Sequence, residues 1–214
     1  SHFCSFVFKI SFIFSNKGIV DFGEKIDGGK DNKVIHKSYI IKGEILFRWD
    51  SLLNPKELGS VSNLKNFKEV TIPHFWGKDS NAKNIGSGTY VLDVVNSPFK
   101  RIGLKTSMKS AHKIFILIEG RDPIEVSSQG HVSLKKERII PWWERQYSFF
   151  DLGGKSNFKI LIHTSNNYFR EGRLLKLELG DERILRSEKS KGSRKDFFVM
   201  GGLIIFGFYF LYLY

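Results

Sequence analysis

Apolar and polar residues alternate with a period of two through much of the stretch from Ser38 to Leu179, and that period predicts strands rather than helices. Ser38 to Trp49 sets Ile41, Ile45, Phe47 and Trp49 on one parity, with Gly43 interrupting the run where a bulge or bend fits. Further strands are predicted over residues 67–72, 88–95, 101–106, 113–119, 125–128, 147–150, 158–164 and 174–179. In the last of these, Leu175, Leu177 and Leu179 alternate with Lys176 and Glu178, which describes a strand with one wet face. Residues 114–118 are apolar without a break, as expected of a strand covered on both faces. Turn chemistry at Asn54-Pro55, Asn96-Ser97-Pro98, Gly120-Arg121-Asp122-Pro123 and Gly153-Gly154 punctuates the segments. Many short strands separated in this way predict an all-β chain folded as a β-sandwich or jelly roll.

The two ends follow other rules. Residues 197–214 carry no charge over eighteen positions, a run that spans roughly 27 Å as a helix, close to the hydrocarbon thickness of a bilayer. Residues 3–14 are apolar apart from Lys9 and a few Ser, and resemble the core of a secretory leader; the plainer alternative is a first β-strand. The pattern therefore divides the chain into a signal peptide or N-terminal anchor (1–19), a β-domain (20–180), a charged and mobile tether (181–196) and a transmembrane helix (197–214). A chain ordered in this way reads as the ligand-facing part of a larger membrane protein.

Charge sharpens that division. The net charge is +12, and the part of the tether between Arg183 and Lys195 holds Arg183, Arg186, Lys189, Lys191, Arg194 and Lys195 against Glu188 alone, +5 of the total, beside the apolar run. Such a cluster suits phospholipid head groups. The rest of the charge is dispersed without a nucleic-acid motif, so no nucleic-acid partner is expected. The cluster would favour a cytoplasmic side by the positive-inside rule, whereas the leader-like start favours export of the body. The single cysteine, Cys4, excludes an internal disulfide and a Cys-based zinc site.

Several pieces stand in order along the chain: Gly43-Glu44-Ile45-Leu46-Phe47-Arg48-Trp49, Ile72-Pro73-His74-Phe75-Trp76, Gly86-Ser87-Gly88-Thr89-Tyr90-Val91-Leu92, and the closing stretch from Ser165 to Leu174, followed by the apolar run from Phe197. Together they resemble the extracellular sensor domain of bacterial seven-transmembrane receptors with diverse intracellular signalling modules. Glu119-Gly120 stands where such families typically carry Asn-Gly. The resemblance implies a jelly roll of galactose-binding-like type on the periplasmic or extracellular side, a small-molecule ligand such as a carbohydrate, and a downstream seven-helix domain and cytoplasmic effector in cis. A membrane-anchored carbohydrate-binding module, or the accessory sugar-binding domain of a glycoside hydrolase, is the alternative.

For the ligand, Trp142-Trp143 between Arg138 and Arg145 is the most suggestive group. An exposed indole stacks on a sugar ring, and a guanidinium offers fixed donors to an anionic group. The plainer reading packs both indoles. Asn166, at a strand end, is a further candidate ligand contact, or else a side-chain-capped turn. Trp49 and Trp76 read as packing residues. His74, His112, His131 and His163 lack metal-ligand spacing, so no metal is expected, and no cofactor. Neither a nucleophile elbow nor a Cys–His pair is present, so no enzymatic role is expected of this chain.

Overall fold

The computed structural model describes residues 11–23, 38–58, 66–78, 84–142, 144–167 and 173–213, with the backbone alone at 173, 195 and 196. Among the described residues twelve strands follow in chain order: β1 (Ser11–Asn16), β2 (Ile19–Asp21), β3 (Ser38–Trp49), β4 (Lys68–Ile72), β5 (His74–Phe75), β6 (Gly86–Val95), β7 (Arg101–Met108), β8 (Ala111–Leu117), β9 (Ile124–Gln129), β10 (Arg145–Asp151), β11 (Phe158–Asn166) and β12 (Arg173–Asp181). A one-turn helix α1 (Pro55–Leu58) follows β3, and a long helix α2 (Glu182–Leu213) follows β12. The chain is all-β, a jelly-roll sandwich followed by one apolar helix, as the period of two predicts.

The hydrogen-bonded path runs β10-β7-β12-β3-β1-β2-β6-β11-β8-β9, with β4 beside β3 and β5 beside β12. It folds over at β3, whose first residues pair with β12 (Ile40 with Glu178) and whose last residues pair with β6 (Phe47 with Tyr90). The hinge between those two duties is Gly43, at φ +96°, where a Cβ would stand 2.3 Å from the Ser15 carbonyl oxygen. Only glycine fits a backbone that is both left-handed and pressed against a neighbouring strand. Ile102, Leu104, Leu177 and Leu179 of one layer face Leu92, Ile114, Ile160 and Ile162 of the other in a single core.

The continuous apolar run in β8 has the predicted cause. Ile114 and Ile116 enter the core, while on the outer face Leu117 and Phe115 join Val91, Leu161 and Leu58 under the segment that carries α1. Among the aromatics, Trp76 is fully buried and Trp49 partly so, 4.7 Å from it. Trp76 Nε1 donates to the Tyr90 hydroxyl at 2.8 Å, and His74 Nδ1 lies 2.7 Å from the same oxygen, so the buried polar tips satisfy one another.

Two boundaries differ from the sequence reading. Of the leader-like segment, residues 1–10 lie outside the described residues, but β1 and β2 are part of the sandwich. β1 pairs in parallel with β3 and buries Ile13, and β2 pairs in parallel with β6 and buries Val20. The body thus begins by residue 11 rather than 20. The tether is likewise not a loose linker: α2 is a single helix from Glu182 onward, and its first two turns are packed.

Candidate functional site

Asp181 ends β12 and caps α2, its carboxylate accepting the Arg183 N–H at 2.8 Å. The helix then turns back over the outer face of the layer formed by β10, β7 and β12. Glu182 pairs with Arg101 at 2.6 Å, and its other oxygen accepts from Arg186 Nε at 2.5 Å. Leu185, fully buried, lies on Gly103, where a Cβ would come within 2.8 Å of it. The Arg186 guanidinium sits 4.1 Å over the Phe149 ring. One turn on, Glu188 pairs with Lys105.

Lys105 is the hub of this joint. Burial works against its charge, but the hydrogen bond to Glu188 and the charges of Glu178 and Glu188 outweigh burial and raise its pKa. Glu178, 3.6 Å away, is also penalised by burial; Lys176 at 2.8 Å, the Ser38 hydroxyl at 2.6 Å and Lys105 together hold its carboxyl below the ordinary range. An ionic cluster beside a buried leucine fixes the helix to the sheet.

The contacts also give the helix a direction. Glu182 meets Arg101, Leu185 meets Gly103 and Glu188 meets Lys105, so α2 ascends along β7 toward the end of the sandwich where β7 finishes. At that end the described part of the connection from β9 to β10, residues 130–142 and 144, crosses the mouth of the sandwich as a strap. His131 and Ile140 close it by a pair of backbone hydrogen bonds at 2.9 and 3.2 Å. The Ser165 hydroxyl accepts the Ser133 N–H at 3.1 Å, Ser87 donates to the Ser133 carbonyl, and Asn167 Nδ2 donates to the Ile139 carbonyl at 2.7 Å.

The opposite end holds a concave surface of about 760 Å³, a volume ordinary for a small-ligand site. Its floor is Leu117, Ile118 and Phe158, and its walls carry Lys56, Asp93, Glu119, Arg121, Asp122 and Lys159. Asp93 pairs with Lys159 at 2.8 Å through one oxygen, while its other oxygen is buried with no hydrogen-bond partner. Lys56 and Asp122 face each other at 3.7 Å, both well exposed. Charges of both signs around a small apolar floor suit a polar molecule with hydroxyl or carboxylate groups.

The residues singled out from the sequence belong to the strap end, not to this cleft. Trp142 is exposed in the irregular stretch before β10, with its Nε1 3.4 Å from Glu144. It is not on a strand, so alternation does not set its direction. Trp143 lies outside the described residues. Arg138 is exposed in a 3-10 turn and Arg145 exposed at the start of β10. Asn166 is buried, its amide donating to the Asn84 carbonyl at 2.8 Å, which gives it the part of a turn-holding side chain. None of these described residues lines the cleft. Sequence reasoning marked Asn54-Pro55 and residues 120–123 only as turns, because the cleft arises from their convergence across the fold.

His112 and His163 are buried, and burial pushes both below the ordinary histidine value despite hydrogen bonds to the Ser110 and Leu53 carbonyls. Among the described residues no three His, Cys, Asp or Glu side chains gather around one point.

No family model matches the chain, and no curated protein does. Among solved structures, a GH2 beta-galacturonidase from Eisenbergiella tayi bound to galacturonate is similar at 9% identity and a TM-score of 0.44, covering 68% of this chain and 24% of that one. A β-glucuronidase from Ruminococcus gnavus in complex with D-glucuronic acid is similar at 11% identity and a TM-score of 0.42, covering 66% of this chain and 28% of that one. The chain thus spans about a quarter of the length of these enzymes.

Proposed function

We propose that this chain is the ligand-receiving, extracytoplasmic part of a membrane signalling receptor. A small polar molecule such as a carbohydrate occupies the cleft at the far end, and helix α2 carries occupancy into the bilayer, toward a membrane domain and a cytoplasmic effector. The observation that supports this most is the continuity of α2. Its first turns are locked to the sandwich, and its apolar stretch, long enough to cross a membrane, is not buried against the body. A change of shape in the sheet therefore reaches the helix without a loose joint between them. The ligand drives that change only to the extent that it binds one arrangement more tightly than the other.

The test is thermal unfolding of the full chain in lipid nanodiscs against mono- and disaccharides and small organic acids. One class of these is expected to raise Tm in a saturable way, and Arg121→Ala is expected to abolish the rise. A folded chain stabilised by none of them, or stabilised equally after Arg121→Ala, would overturn the reading.

A further inference from the structure

Helix α2 leaves the sandwich at the end closed by the strap. From Glu188 to Phe197 the helix climbs about 13 Å, and β7 continues about 10 Å from Lys105 to its end at Met108. The apolar stretch therefore starts at about the height of the strap. A membrane crossed by α2 has its surface against this end of the molecule, and the strap faces it.

The strap carries the side chains that such a position calls for. Leu134, Ile140 and Trp142 are 59%, 61% and 52% exposed, although the backbone between them is pinned to Ser87, Ser165 and Asn167 and Ile139 is buried beneath. Apolar side chains held outward on a fixed backbone form a surface, not a frayed loop. Lys135, Lys136, Arg138 and Arg145 stand beside them in the chain and are exposed, as are Glu137 and Glu144 and, on α2, Lys189 and Arg194. Tryptophan and leucine beside lysine and arginine is the composition that settles at the boundary of head groups and acyl chains.

We infer that the strap, described over residues 130–142, is a second membrane contact: Leu134, Ile140 and Trp142 enter the interface of the bilayer that α2 crosses, and the basic residues around them bind anionic lipid head groups. The inference rests on the membrane-spanning reading of α2. With the helix it gives the sandwich two points of attachment and so fixes its tilt. It also assigns Trp142, Arg138 and Arg145 to lipid rather than to a sugar.

The test uses the full chain with Cys4→Ser and a nitroxide at one new cysteine, Ile140→Cys or Leu134→Cys. Ile204→Cys on α2 and Asp122→Cys beside the cleft serve as references. Accessibility to oxygen and to a water-soluble nickel chelate is measured in nanodiscs of phosphatidylcholine, alone or mixed with phosphatidylglycerol. The labels at 140 and 134 are expected to show an oxygen-to-nickel ratio several-fold above that at 122, higher with phosphatidylglycerol. Lys135→Glu with Lys136→Glu is expected to remove the gain from phosphatidylglycerol. A lipid-buried label at 204 with fully water-exposed labels at 140 and 134 would overturn this inference while leaving the membrane helix standing. A water-exposed label at 204 would overturn both. Spin–spin broadening at 140 without a rise in oxygen access would make the occupant a second copy of this chain and overturn the lipid assignment.

Discussion

The two ends of the sandwich are built by opposite means. At the strap end, hydrogen bonds from Ser87, Ser165 and Asn167 fix the backbone of the strap, and along β7 leading to that end Glu178, Glu182 and Glu188 fix the helix through Lys105, Arg101 and Arg186. At the cleft end, exposed charges on Lys56, Glu119, Arg121 and Asp122 surround a concave wall. The lesson is a division of labour, in which polar groups paired within the protein hold the strap and the helix in place while those around the cleft are left open to solvent.

The contrast is open to attack at its strongest point first. Leu185→Ala empties the contact with Gly103 and is expected to cost the helix joint about 3 kcal/mol. Hydrogen exchange would read this as amides of residues 182–189 opening roughly a hundredfold more often, while those of β8 and β11 hold. Unchanged exchange in the helix would mean that the joint does not depend on that leucine. Ser165→Ala comes next. It removes a fully buried hydroxyl that accepts from the Ser133 N–H and donates to Ser87 at 2.9 Å, so a loss of about 1–3 kcal/mol is expected, concentrated in the strap.

Acid supplies a milder perturbation. His112 and His163 have pKa values lowered by burial, so the unfolded chain binds their protons more readily than the folded one. The stability they contribute is complete above the ordinary histidine value of 6.5 and is lost as pH falls below it. The depressed Glu178 carboxyl adds a further loss at lower pH, below its ordinary value of 4.5. Tm measured from pH 7.5 to 5 should therefore fall, and a flat or rising profile would contradict the assignment of both histidines as buried and neutral. The smallest effect is expected at the cleft. Lys56→Ala breaks only an exposed ion pair and should move stability by less than about 0.5 kcal/mol, while still weakening ligand-induced stabilisation.

Most of the sandwich was legible because its strands have one dry and one wet face, as in Glu69 to Ile72, and because turn residues fell between them; in β12 the irregularity between Leu174 and Lys176 and the cover of α2 leave Leu175 half-buried and Glu178 buried. β1 was legible only as the alternative to a leader, because Phe12 and Phe14 on its outer side are as apolar as Ile13 on its inner side, which erases the period and leaves a run that looks like a leader. The packing of α2 was illegible for a different reason. Charge along residues 181–196 shows plainly, but the fit of Leu185 to Gly103 joins residues eighty positions apart, and nothing local announces it. The cleft was illegible for the same reason: two adjacent indoles are conspicuous in a sequence, whereas Lys56, Asp93 and Arg121 meet only after β6, β8 and β11 have paired.

The central claim is that the β-body and the membrane helix form one rigid piece. Its most direct test is the distance between nitroxides on Ser128→Cys of β9 and Ser193→Cys of α2, in the Cys4→Ser chain in nanodiscs, by pulsed dipolar spectroscopy. A single narrow distribution is expected, broadening when Leu185→Ala is added. A broad distribution in the parent chain would mean that the helix hangs from the sandwich by a flexible joint, and the account would fail.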